Sequence, residues 1–70
     1  MRSLNVGSVT WDVMVSKASW GTLSLLFIPR GGGQPRSLVM AEESQFDAER
    51  ALAGMSDAEL AERLQESTPA

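Results

Sequence analysis

Among 70 residues the chain has no cysteine, no histidine and no tyrosine. Without cysteine there is no disulfide to staple a small fold, and without cysteine or histidine the usual ligands of a structural zinc are missing too. A single domain of this size offsets chain entropy only narrowly by burying a core. Assembly with another protein, or with a second copy, is therefore the expected supplement. The same absences thin out the chemistry. General acid–base work would fall to carboxylates or to Lys17, the only lysine, and a nucleophile would be an unassisted Ser or Thr. The expectation is a protein that is not an enzyme and carries no metal or other cofactor.

Basic residues are scarce, six Lys and Arg against nine Asp and Glu, for a net charge of −3. No apolar run exceeds four residues, far short of a membrane span, and the opening Met1-Arg2-Ser3-Leu4 leads into no apolar signal-peptide region. A cytoplasmic protein is expected. Lys17, Ile28 and Asn5 are each the only residue of their kind, a bias expected of a GC-rich bacterial genome.

What is present suffices to fold: 43% of the residues are apolar, close to the usual globular share. Charge is unevenly placed. Residues 1–41 hold Arg2, Lys17, Arg30 and Arg36 against Asp12, a balance of +3, whereas residues 42–70 hold eight acids against Arg50 and Arg63, a balance of −6. Oppositely charged halves attract each other; alternatively, the basic half binds an anion beside an acidic tail.

Val9, Trp11, Val13 and Val15 alternate with Thr10, Asp12, Met14 and Ser16, the period of a half-buried strand. Leu4 and Val6 have the opposite parity. Either a bulge at Gly7-Ser8 returns them to the face of Trp11, or residues 4–6 form a short separate strand. "SKASWG" supplies a turn, and "TLSLLFI" a second strand with Leu23, Leu25 and Phe27 on one face and Leu26 and Ile28 on the other. Pro29 ends it. "RSLVMA" offers a third strand, with Leu38 and Met40 opposite in direction to Val39.

The remainder is helical in pattern. Ala48, Ala51, Leu52 and Met55 make one apolar stripe, and Gly54 suits a C-terminal cap. In "MSDAELAERL", Ser56 and Glu59 form a capping box, Met55 and Leu60 a hydrophobic staple, and Leu60, Ala61 and Leu64 a second stripe. These elements predict an α+β fold: a three-stranded antiparallel meander followed by two short helices packed on one face. A small curled β-barrel with an extra strand at residues 4–6 is the runner-up. Residues 1–66 are expected to be one domain and residues 67–70, which include Pro69, a frayed tail.

The order "TWDVMV", "TLSLLFI", "RSLVM", an aromatic at Phe46 and then "LAGMSDAELAERLQES" resembles a group of short uncharacterised bacterial proteins that join a small sheet to an "LSDAEL"-like C-terminal helix. Those proteins commonly carry Trp where Phe46 stands. The resemblance implies a shared small fold and no activity.

The loop "IPRGGGQPR" lacks the lysine of a phosphate-cradling Walker loop, and Arg36 stands where the dinucleotide fingerprint needs its last glycine. It is expected to be a hairpin loop, with an anion contact between Arg30 and Arg36 as the alternative. Glu59, Glu62 and Glu66 share a helical face and are expected to be solvated, with Glu59 and Arg63 as an i,i+4 pair. Trp11 and Trp20 with Arg30 and Arg36 would be the stacking platform of a weak nucleic-acid binder. The favoured expectation is a small interaction or regulatory protein, a homodimer whose interface uses Met14, Leu26, Ile28 and Val39 on the uncovered sheet face and Trp20 in the turn.

Overall fold

Apolar side chains recurring at every second position make strands of most of the first forty residues in the computed structural model, which describes residues 2–18 and 20–70. The strands are β1 (Arg2–Val6), β2 (Val9–Lys17), β3 (Leu23–Pro29) and β4 (Arg36–Val39). Helices α1 (Gln45–Gly54) and α2 (Asp57–Glu66) follow, and the short strand β5 (Thr68–Pro69) comes last. Among the described residues these strands form one antiparallel sheet in the order β1-β2-β3-β4-β5. The fold is α+β, as expected, with more strands than the expected three.

The first addition is β1. Gly7 has φ +61°, and no residue other than glycine among those described takes a positive φ. Gly7 and Ser8 therefore make a two-residue turn with glycine at its first position, the type II′ geometry that suits a hairpin. The turn sets Val6 opposite Val9 and Leu4 opposite Trp11. Reversal of the chain, and no bulge, brings the two parities onto one face.

The second addition corrects the expected frayed tail. After α2 the chain returns to the sheet, where Thr68 pairs with Ser37 and Pro69 with Arg36. Pro69 lacks an N–H but lies on an edge strand, where none is needed. The Ala70 N–H donates to the Pro35 carbonyl at 2.9 Å. Ser67, 4% exposed, is fixed on both sides: Nε of Arg36 donates to its hydroxyl at 2.8 Å, and that hydroxyl donates to the Leu64 carbonyl. The runner-up barrel is corrected as well. Its extra strand exists, but the edges β1 and β5 do not pair with each other, so the described sheet stays open.

Leu4, Val13, Leu25 and Phe27 from one face of the sheet meet Leu52 of α1 and Leu60 and Leu64 of α2 in a single buried cluster, with Trp11, Val15, Met40 and Met55 around it. Ser44 caps α1, its side chain accepting from the Asp47 N–H at 3.1 Å. Ser56 and Glu59 form the expected capping box of α2. Gly54 differs from expectation. It is the last residue of α1, without the left-handed conformation of a glycine cap, because Met55 and Ser56 run extended straight into α2.

Both helix C-termini instead receive an arginine from the sheet. Nη1 of Arg2 in β1 donates to the Leu52 carbonyl at 2.9 Å and to the Met55 carbonyl, while Nη2 lies 3.0 Å from Asp57. Arg36 in β4 does the same for α2, donating to the carbonyl as well as to the hydroxyl of Ser67. The last carbonyls of a helix lack internal partners and carry partial negative charge, so a guanidinium there fills both needs. The basic half of the chain thus holds down the acidic half.

Candidate functional site

Antiparallel register fixes which side chains share the face turned away from the helices. Cross-strand rows run Asn5, Thr10; Ser3, Asp12, Ile28; Met14, Leu26, Ser37, Thr68; and Ser16, Ser24, Val39. Met14 and Leu26 are direct neighbours across β2 and β3, and Ile28 is two residues further along β3 on the same side. All three are half-buried, whereas Val39 is 68% exposed. Four of the expected interface residues thus share one face.

Around this apolar centre lies a collar of hydroxyls from Thr10, Ser16, Ser24, Ser37 and Thr68. A hydroxyl both donates and accepts and so adapts to a partner surface. The charged margin is internally neutral. Arg30 donates to Oδ1 of Asp12 from Nε at 3.0 Å and from Nη2 at 2.8 Å. The open face thus joins an apolar middle to hydroxyls and to one paired charge, with Asp12 directly opposite Ile28.

Trp20 lies apart. It is 81% exposed in the turn between β2 and β3, at the opposite end of β2 from Trp11. Trp11 faces the helices and packs on the core. The two tryptophans and two arginines of the expected stacking platform are therefore not brought together.

Arg30 and Arg36 do not meet across the glycine loop either. Arg36 sits opposite Phe27, on the helix side, and is engaged with Ser67, while Arg30 follows the face of Asp12. Glycines 31, 32 and 33 all have positive φ, between 85° and 122°, a run of conformations that L side chains rarely adopt. Local geometry alone accounts for them.

Among the carboxylates on α2, Asp57 meets Arg2, while Glu59 and Glu66 turn to local partners. Glu59 accepts from the Ser56 N–H at 3.3 Å in the capping box, and Arg63 lies 3.7 Å from Glu66, so the expected pairing of Glu59 with Arg63 is corrected to an i,i+3 pair. A groove of about 190 Å3 opens beside the end of β4, walled by Leu38, Met40, Met55 and Arg63. Phe46 is 69% exposed, with the Arg50 guanidinium over its ring at 5.8 Å.

The hydrogen bonds from Arg30, together with its charge, hold the Asp12 carboxyl below the usual aspartate range, against a smaller upward push from burial. The same hydrogen bond and charge hold Arg30 up. Because the folded value lies below the unfolded one, the pair's contribution to stability is present above the ordinary aspartate range. It is lost as pH falls through the lowered folded value. An NMR titration of the Asp12 carboxyl carbon should show a midpoint below that of a free aspartate, and Arg30→Met should return it to the ordinary range. A midpoint unmoved by Arg30→Met would show that the pair does not form in solution.

Sequence reasoning did not anticipate Arg2 or the hydroxyl collar. The signals were present: Arg2 shares the parity of Leu4 and Val6, hence the core face, and Ser16, Ser24 and Ser37 fall on the face of Met14 and Leu26. Compared with known proteins, the chain matches no family model, no curated protein and no solved structure. Among the described residues no helix is long and apolar enough to cross a membrane.

Proposed function

We propose that this is a small non-catalytic interaction protein of regulatory or accessory kind, acting in a bacterial cytoplasm, that self-associates through its sheet. The observation that carries this is the shared face of Met14, Leu26 and Ile28, apolar at the centre and ringed by hydroxyls, on the side of the sheet that the helices leave open. A second copy related by a two-fold axis parallel to the sheet lays the same patch against this one, so that each apolar side chain meets another and each hydroxyl finds a donor or acceptor. The lack of any possible disulfide supports the same conclusion, since a domain of 70 residues gains stability from association that it cannot gain from a cross-link. Arg2, Arg30 and Arg36 are occupied by internal partners, which argues against an anion or a nucleic-acid backbone as the ligand.

Sedimentation at micromolar and higher concentrations is the test. The unmodified protein should sediment as an oligomer that persists when salt is raised, because apolar burial is not screened. Leu26→Lys with Ile28→Lys should lower that mass and the thermal midpoint together. A well-folded monomer at every concentration would overturn the proposal, and a steep salt dependence of binding to an oligonucleotide would favour the nucleic-acid alternative.

A further inference from the structure

We infer that the free edge of β1 is a second self-association site, at which β1 of another copy pairs antiparallel to extend the sheet. The direction of the backbone groups in β1 follows from its neighbours. The Arg30 N–H donates to the Thr10 carbonyl at 2.8 Å, so Thr10 turns its backbone groups toward β3 and away from β1. Backbone groups alternate in direction along an antiparallel ladder, so Trp11 and Val13 turn theirs toward β1 and bond Leu4 and Arg2. Ser3 and Asn5, opposite Asp12 and Thr10, are left with N–H and C=O groups pointing outward. No strand among the described residues lies beyond them.

Natural edges are usually blunted by proline, by a bulge, by inward-pointing charge or by shortness. The far edge of this sheet is blunted twice, because β5 has two residues and one is Pro69. β1 has five residues, no proline and an unbroken register with β2, and its one inward charge, Arg2 at the end of the strand, is held by the C-terminus of α1 and by Asp57. Edge pairing is therefore available on one side only, which closes at a dimer and does not propagate into a fibre.

The pairing that covers the whole of β1 places the two-fold axis at Leu4, normal to the sheet. Ser3 then lies opposite Asn5 of the second copy and Asn5 opposite Ser3, each pair exchanging both of its backbone hydrogen bonds. Their polar side chains meet across the strands on the open face, and Arg2 faces Val6, so no like charges are opposed. This inference goes beyond the packing of open faces and does not depend on it. One axis is normal to the sheet and the other parallel to it, so the two contacts use separate surfaces and close within a single tetramer where the axes intersect.

The test is Ser3→Pro. Proline at position 3 removes an outward N–H that no internal bond uses and leaves the ladder to β2 intact. Expected is a halving of the sedimenting mass, with an unchanged circular dichroism spectrum. A second measurement stands even if that variant fails to fold: in the unmodified protein, exchange of the Ser3 and Asn5 amides should be as slow as that of the inward Leu4 amide. Retention of the full mass by Ser3→Pro, fast exchange at both amides, or a monomeric unmodified protein would each overturn the inference. If only the Leu26 and Ile28 substitutions lower the mass, the open-face contact stands and the edge contact falls; if only Ser3→Pro does, the reverse holds.

Discussion

Phe27→Ala should remove about a third or more of the protein's stability. Phe27 is 0% exposed near the centre of β3, between Val13 of β2 and Arg36 of β4, and it belongs to the cluster that joins sheet and helices. Truncating a buried phenylalanine costs about 3 to 5 kcal/mol, through lost transfer energy and the cavity left behind. A domain of this length has on the order of 4 to 10 kcal/mol in all. Urea denaturation of the variant should show a midpoint far below that of the unmodified protein, while Phe27→Leu, which keeps most of the volume, should shift it much less. An unchanged midpoint for Phe27→Ala would mean that the helices do not close over this face.

Leu60→Ala is expected to cost about 2 to 5 kcal/mol, because Leu60 is also 0% exposed and joins α2 to the same cluster. Ser56→Ala removes only a cap on the exposed end of that helix and should cost about 1 kcal/mol. The ratio between the two carries the information. If α2 is docked, the Leu60 variant loses several times what the Ser56 variant loses, as read from denaturation midpoints at equal slope. Equal losses would describe a helix stabilised by its own cap and not by the sheet.

The elements that were legible in the sequence were those whose burial leaves a period. β2 and β3 alternate because one face packs on the helices, and α2 announces itself because Ser56, Glu59, Met55 and Leu60 each hold a defined place in its first turn. The sidedness of Leu26 and Ile28 was legible for the same reason. β5 was not, since two residues have no period and Pro69 reads as a breaker; its place is decided by Arg36 and Ser67, 31 positions apart. β1 was only half legible, because Leu4 and Val6 look out of phase until the turn at Gly7-Ser8 reverses the chain. The arginines look like a cationic surface when counted and become internal ties when placed, a distinction that composition does not contain.

The order of the sheet also has a meaning in time. The first three pairings, β1 with β2, β2 with β3 and β3 with β4, join strands adjacent in sequence, whereas Leu52, Leu60 and Leu64, which cover the result, all come later. During synthesis the meander can form as soon as β4 is available, since its contacts are local. From then until α2 emerges, Leu4, Val13, Leu25 and Phe27 face water beside the unpaired edge of β1. The hazard of this fold is therefore concentrated in that brief interval, when a nascent sheet has both an uncovered apolar side and an open margin. A ribosome that slowed over residues 42–60 would prolong the interval and raise the yield of aggregate without changing one contact of the finished protein.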